Sequence, residues 1–297
     1  MENITGYPVT DKDYLKTRLF LVDEVRDMAR RFSIIIEAPR RFGKTSVIKE
    51  FIRQEKTKEE KLQEFNIIFL ELEGEETVNN FCFKLFNEVL NLYRIRKKID
   101  MATKFLGSAW NALASRLKKI DILDVALETR EKTRDYNFSQ WKEKINPMIT
   151  GLDSFDKQTV IVFDEFPDML LNFKKNMAKP QDYINTTDSL TGWLRALRQQ
   201  QNKESKYRFL FCGSVNLRKT LEEIGLGKRI NDLEPFTIPL MKRDEAMLLI
   251  KSLAQKHHMA IEQEGMEFMV SKITDGSPYY GQIPFKALRV TGEKAFQ

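Results

Sequence analysis

Histidine and cysteine are scarce in this chain, two of each in 297 residues. Cys82 and Cys212 lie far apart, too few and too distant for a zinc site or a disulfide framework, and they fit a reducing cytosol. His257 and His258 are adjacent. That argues against a histidine-based metal site, and a Ser-His-Asp hydrolase would have to rest on His258. No apolar run approaches the roughly 18–20 residues that a membrane span needs. The segment from Met1 to Asp13 carries acids and no apolar stretch, so no signal peptide is expected. A cytoplasmic protein without membrane contact is the expectation. Neither sign of charge dominates: 49 lysines and arginines stand against 43 aspartates and glutamates, a net of +6. That surplus permits contact with a polyanion and does not argue for one.

What is present is ordinary globular material, 42% hydrophobic and 31% charged. The length sits near the ceiling for a single core, so one large lobe and one smaller lobe are expected. Short apolar runs alternate with longer amphipathic stretches, the signature of a sheet with helices on its faces. Strands are expected at Phe32–Ala38, Asn66–Glu73, Thr159–Glu165 and Tyr207–Ser214, with a short edge strand at Phe236–Leu240. Near-continuous β-branched and aromatic runs suit parallel strands covered on both sides. Val47, Ile48, Phe51 and Ile52 form a helical stripe after the first strand, and Val78, Phe81, Leu85 and Val89 another after the second. The span 93–156 exceeds a simple crossover and reads as an inserted helical pair, around Phe105–Ile120 and Phe138–Ile149. Beyond the fifth strand the pattern is helical, at Arg243–His258 and Ile261–Thr274, with a turn at Asp275–Pro278 and a last helix from Tyr279 towards Lys294.

The most informative segment is "IIIEAPRRFGKTSVIKEF". A buried strand enters a loop of Ala38, Pro39, Arg40, Arg41, Phe42, Gly43, Lys44, Thr45 and Ser46, and an amphipathic helix follows at once. A triphosphate needs backbone N–H groups converging on its oxygens, and a helix N-terminus supplies them with a favourable dipole. Gly43 lets the main chain approach, Lys44 reaches the β and γ oxygens, and the Thr45 hydroxyl ligates Mg²⁺. Ala38 occupies the first glycine position of G-x-x-x-x-G-K-[ST]. At positive φ that would cost up to about 1 kcal/mol, and at negative φ little.

The second anchor is "TVIVFDEF", an apolar strand that presents Asp164 and Glu165 at its tip, on the ligand edge of a parallel sheet. Asp164 would hold Mg²⁺ through water, and Glu165 would orient or deprotonate an attacking water. The third is "RFLFCGS", a strand ending in Gly213 and Ser214 with Asn216 beyond, placed to sense a γ-phosphate.

"APRRFGKTS", "IVFDEFPDML", "FLFCGSVN" and "DGSP", in this order, resemble the AAA+-related P-loop ATPases of the STAND/archaeal-type ATPase group. The resemblance spans about residues 20–280. It implies an α/β three-layer αβα fold with a five-stranded parallel sheet in the order 5-1-4-3-2, a helical lid, and ATP/ADP with Mg²⁺ as ligands. By position, Lys44 and Thr45 fall on Walker A, Asp164 and Glu165 on Walker B, and Ser214 on sensor 1, with Asn216 the alternate. Gly276 and Pro278 resemble the G-x-P turn of the lid, which in that group packs near the adenine. Arg18–Val25 is similar to the segment that borders the base, and Arg229 to an arginine finger, although a surface arginine is the plainer reading. The implied division is a nucleotide domain over 1–235, with the helical insertion at 93–156, and a lid over 236–297. Relatives often continue into an effector domain, and none is expected within these 297 residues.

The basic clusters Arg94–Lys98 and Arg116–Lys119 offer a nucleic-acid stripe, but acids follow closely and a solvated helix face is the better reading. Trp110, Trp141 and Trp193 sit in helical apolar patterns and read as packing, as do Met28, Met241, Met247 and Met259; Asp23 and Glu24 read as a helix start. The leading expectation is a Mg²⁺-dependent ATPase that couples nucleotide state to lid motion and to a protein partner or self-assembly. A nucleotide-dependent switch with negligible turnover is the alternative. A kinase for a small acceptor is weaker, because the glutamate directly after Asp164 points to water as nucleophile.

Overall fold

The computed structural model describes residues 18–103, 136–201, 204–256 and 258–273, and all but two positions between Gly276 and Ile283. Side chains at 96–103 are not described. The expected helix at Phe105–Ile120, Trp110, the second basic cluster and most of the expected last helix lie outside the described residues.

The elements, in chain order, are α1 Leu19–Ala29, β1 Ile34–Glu37, α2 Lys44–Thr57, β2 Phe65–Glu71, α3 Val78–Thr103, α4 Phe138–Gly151, β3 Gln158–Asp164, α5 Phe166–Asn176, α6 Pro180–Gln199, β4 Tyr207–Phe211, α7 Leu217–Glu222, β5 Glu234–Thr237, α8 Arg243–Lys256 and α9 Gln263–Ser271. The five strands pair in parallel in the order β2-β3-β4-β1-β5, which is 5-1-4-3-2 read from the other edge.

Alternation along each strand builds three layers. Ile35, Ile161, Phe163, Phe209 and Phe211 face one side, packed with α3, α4, α5 and α6. Ile34, Ile36, Val160, Val162 and Leu210 face the other, packed with α1 and α2. Both faces are covered, which is why the central strands read as unbroken apolar runs. A separate cluster of Met241, Leu249, Ile250, Leu253, Met269 and Val270 joins α8 to α9 as the small helical lobe.

Several boundaries differ from the sequence expectation. Asn137 opens α4 through a reciprocal capping box with Gln140. Helix α3 runs on past residue 93 to Thr103, since no glycine or proline interrupts it. α3 and α4 both pack into the main core, Tyr93 reaching the Met148 carbonyl, so this pair begins as part of the body. β5 starts two residues and ends three residues earlier than expected, in register with β1 from Ile34↔Glu234 to Glu37↔Thr237, so Phe236 and Thr237 belong to the sheet. Pro235 is tolerated because the strand is at the edge. Asp23 and Glu24 sit inside α1, which starts at Leu19, and Asp23 pairs with Arg26.

Candidate functional site: a phosphate loop facing an acidic strand end

β1 delivers the loop at the C-terminal edge of the sheet, and α2 leaves it. Gly43 is the N-cap of α2 at φ 87°, ψ 20°, a left-handed conformation suited to glycine. No heavy atom lies within 4 Å of a Cβ built there, so the main chain is open to approach. Among the described residues, the non-glycine positions with left-handed φ are Arg41, Glu165 and His258. Ala38 is not one of them, so alanine in the first glycine position costs little; it packs partly buried against the α1–α2 face. The loop instead turns left-handed at Arg41, φ 70°. Lys44 is buried, its Nζ donating to the carbonyls of Ala38 at 2.6 Å and Pro39 at 2.8 Å. Burial holds its ammonium below the usual pKa, because the charged form loses hydration.

β3 carries Asp164 to the same edge, 1% exposed. Asp164 Oδ1 accepts from Thr45 Oγ1 at 3.4 Å and from Cys212 Sγ at 2.8 Å. Burial pushes its carboxyl up, and the thiol donor partly offsets this. Glu165 follows at φ 57° and starts α5, with Pro167 and Asp168 in the first turn. Glu165 Oε2 accepts from the Ser214 main-chain N–H at 2.5 Å. Ser214 Oγ donates to Asp168 Oδ2 at 3.0 Å and accepts from Arg40 Nη2 at 3.2 Å. Burial first, then the neighbouring Asp168 carboxyl, push Glu165 up to about 7, against the Ser214 N–H. Gly213 makes this possible, since a Cβ there would stand 2.4 Å from Pro167 Cδ.

The small lobe meets the loop through the turn at Gly276. Gly276 has φ 65°, its carbonyl accepts from Met241 N–H at 2.9 Å, and a Cβ would stand 2.9 Å from Leu240 Cβ. Ser277 Oγ donates to the Arg41 carbonyl at 3.0 Å, and the Arg41 guanidinium lies 4.0 Å from the centre of the Tyr279 ring. Pro278 is buried between them in sequence. Arg18, also buried, donates to the carbonyls of Phe42, at 3.4 Å, and Pro239.

The structure thus gathers Lys44, Thr45, Asp164, Glu165 and Ser214 at one edge. Two other expected residues have partners of their own, Asn216 beside Ala38 and Gly213. Asn216 caps α7, accepting from Lys219 N–H at 3.0 Å. Arg229 donates to Asp188 Oδ1 at 2.7 Å and lies flat against Gly192 on α6. Of the first basic cluster, Arg94 and Ile95 are exposed. Asp168, Cys212, Ser277 and Tyr279 join the site unassigned by motif. Asp168 had one local signal, an acid in the first turn of a helix opened by Pro167.

Thr45 Oγ1 and Asp164 offer adjacent hard oxygen donors of the kind Mg²⁺ takes. Among the described residues, no group of three or more His, Cys, Asp or Glu side chains forms a metal cluster of its own. No helix among them is long and apolar enough to cross a membrane.

No family model matches the chain, and no curated protein matches it. Solved structures do. The Walker-type ATPase PABY2304 of Pyrococcus abyssi aligns over 98% of this chain and 73% of its own, at 12% identity and TM-score 0.59. The ORC2 protein of Aeropyrum pernix, in its ADPNP–ADP complexes, aligns over 99% and 68%, at 12% identity and TM-score 0.53. The ORC1 protein of the same organism, in complex with DNA, aligns over 99% and 65%, at 11% identity and TM-score 0.50. At such identities the likeness is one of fold: this chain shares with these structures a three-layer αβα fold on a five-stranded parallel sheet.

Proposed function

We propose that the chain binds ATP with Mg²⁺ and hydrolyses it to ADP and phosphate. The observation that carries this is the meeting of loop and strand end: Thr45 Oγ1 donates to Asp164 Oδ1 at 3.4 Å, beside a buried lysine held by loop carbonyls. An ordinary helix start has no need to bury an ammonium against its own loop. The main chain from Arg41 to Thr45 and the Lys44 ammonium bind the phosphates, Lys44 exchanging two carbonyl oxygens for phosphate oxygens. Thr45 and Asp164 would hold Mg²⁺, which supplies charge neutralisation at the phosphates when bound. Glu165 takes the proton of the attacking water. The water oxygen bonds to the γ-phosphorus as the bond to the β–γ bridging oxygen breaks.

The Gly276–Tyr279 turn rests on the loop at Arg41, so a change at the phosphates is felt by the small lobe. A protein partner or a second copy would receive that motion, in the cytoplasm. Nucleic acid is a weaker candidate partner.

Lys44→Ala is expected to abolish ATP binding, and Glu165→Gln to keep binding and lose turnover. Wild-type turnover in Glu165→Gln would remove Glu165 as the base. One observation favours the second reading, a slow nucleotide switch: Glu165 is held by the Ser214 N–H and sits near half protonation at neutral pH. Copurified ADP with negligible steady-state hydrolysis would select that reading.

A further inference from the structure

Hydrolysis at such a site calls for a cation over the terminal phosphate besides lysine and metal, and arginine suits it because its charge is permanent and its fork planar. The sequence pattern offered Arg229 for this, delivered from a neighbouring copy. In the structure Arg229 is committed within its own chain, to Asp188 at 2.7 Å. Arg18, Arg26, Arg30, Arg53, Arg198 and Arg218 likewise each face a carboxylate.

Arg40 differs. It is exposed, on the phosphate loop, and among the described residues it makes no ion pair with a carboxylate. Its Nη2 donates instead to a neutral acceptor, Ser214 Oγ, at 3.2 Å. That serine carries Glu165 on its main-chain N–H and Asp168 on its hydroxyl. Arg40 is also close enough to Lys44 to disfavour its charge. Neither of these loop cations is neutralised by an ion pair among the described residues, and the guanidinium spans from the loop to the residue that carries the base.

We propose that Arg40 is the arginine that binds the terminal phosphate, supplied in cis by the loop and aimed by Ser214. The assignment rests on the reading of the site as an ATP site. It makes the arrangement complete within one chain. The guanidinium keeps one edge on Ser214 and offers its remaining N–H groups to the γ oxygens, so it distinguishes ATP from ADP and stabilises the transferred group.

The test is equilibrium binding of ADP and of a non-hydrolysable ATP analogue to wild type, Arg40→Ala and Arg40→Lys, with turnover measured over a range of protein concentrations. Arg40→Ala is expected to lose at least tenfold of the preference for the ATP analogue with ADP affinity changed less than threefold. Turnover is expected to fall by about a hundredfold or more, with Arg40→Lys in between, since an ammonium restores charge without the fork. Wild-type turnover per molecule is expected to be independent of concentration. Arg40 is exposed, so an unchanged thermal melt is expected of Arg40→Ala. Unchanged discrimination in Arg40→Ala overturns the proposal, as does activity that rises with concentration and is lost in Arg229→Ala. Failure of the wild type to bind either nucleotide refutes the ATP reading itself and takes this assignment with it. Intact binding with no role for Arg40 refutes the assignment alone.

Discussion

Replacing Glu165 by glutamine should stabilise the fold while stopping the chemistry, and the stabilisation should depend on pH. Glu165 ordinarily titrates near 4.5, and here it is pushed up to about 7 by burial and by Asp168. A carboxyl whose folded value lies above its unfolded one takes up a proton on folding between the two. Stability is therefore lost as pH rises from about 4.5 to about 7, and the loss is complete above that. At about 1.36 kcal/mol per pH unit the full shift would amount to about 3.4 kcal/mol. Glu165 is only half-buried, so solvent screening reduces this to about 1–2 kcal/mol. Glutamine keeps the acceptor for the Ser214 N–H and gains an amide donor towards Asp168, with no charge to desolvate. Urea denaturation of Glu165→Gln against wild type should show the variant more stable by about 1–2 kcal/mol at pH 8, falling to about a quarter of that at pH 5. Equal differences at the two pH values, or a variant less stable at pH 8, would refute the electrostatic account of this carboxyl.

The turn at Gly276 gives a second test. Gly276→Ala adds a left-handed strain of about 1 kcal/mol and a methyl 2.9 Å from both Leu240 Cβ and Met241 N. The Met241 amide, which donates to the Gly276 carbonyl, should then exchange with solvent at least tenfold faster; unchanged protection would mean that the turn is not what holds the small lobe at the loop. Ala38→Gly restores the usual first glycine, yet nucleotide affinity should not improve, because φ at Ala38 is not left-handed. The added chain entropy should instead lower stability by about 0.5 kcal/mol, measured by denaturation. A gain of several-fold in affinity would show that the loop needs glycine there after all.

The central strands were legible because both of their faces are covered. Val160–Asp164 and Tyr207–Phe211 are buried at every position, and their apolar runs have few competing interpretations. The edge strand was harder, since only Phe236 of β5 is buried and the apolar run that suggested it, Phe236–Leu240, mostly lies beyond the pairing. At the site, Lys44, Thr45 and Asp164 were legible because each sits at a fixed offset from a buried strand, which sequence spacing records. The ion pair of Arg229 was not legible, because its acid partner, Asp188, comes from α6, a helix the motif order does not mention. Cys212 and Asp168 were missed for a related reason. Their roles come from which oxygen they touch, Asp164 Oδ1 and Ser214 Oγ, and those contacts join different strands and helices.

The loop and strand tip also adopt left-handed backbone at two residues that sequence would not choose, Arg41 and Glu165. Each costs of order 1 kcal/mol or more and persists only where its surroundings over-determine it. For Arg41 the surroundings are Ser277 and Tyr279, more than 230 residues later in the chain. For Glu165 they are Ser214 and the seat of Pro167 against Gly213. Arg41 is pinned by the small lobe, whereas Glu165 is pinned within the sheet body. The conformation of the loop at Arg41 is therefore shared between the loop and the small lobe. Opening the contact at Ser277 would release the strain at Arg41 and with it the loop curvature on which the proposed phosphate binding depends. Ligand and small lobe then stabilise the same loop conformation, so each should favour the binding of the other.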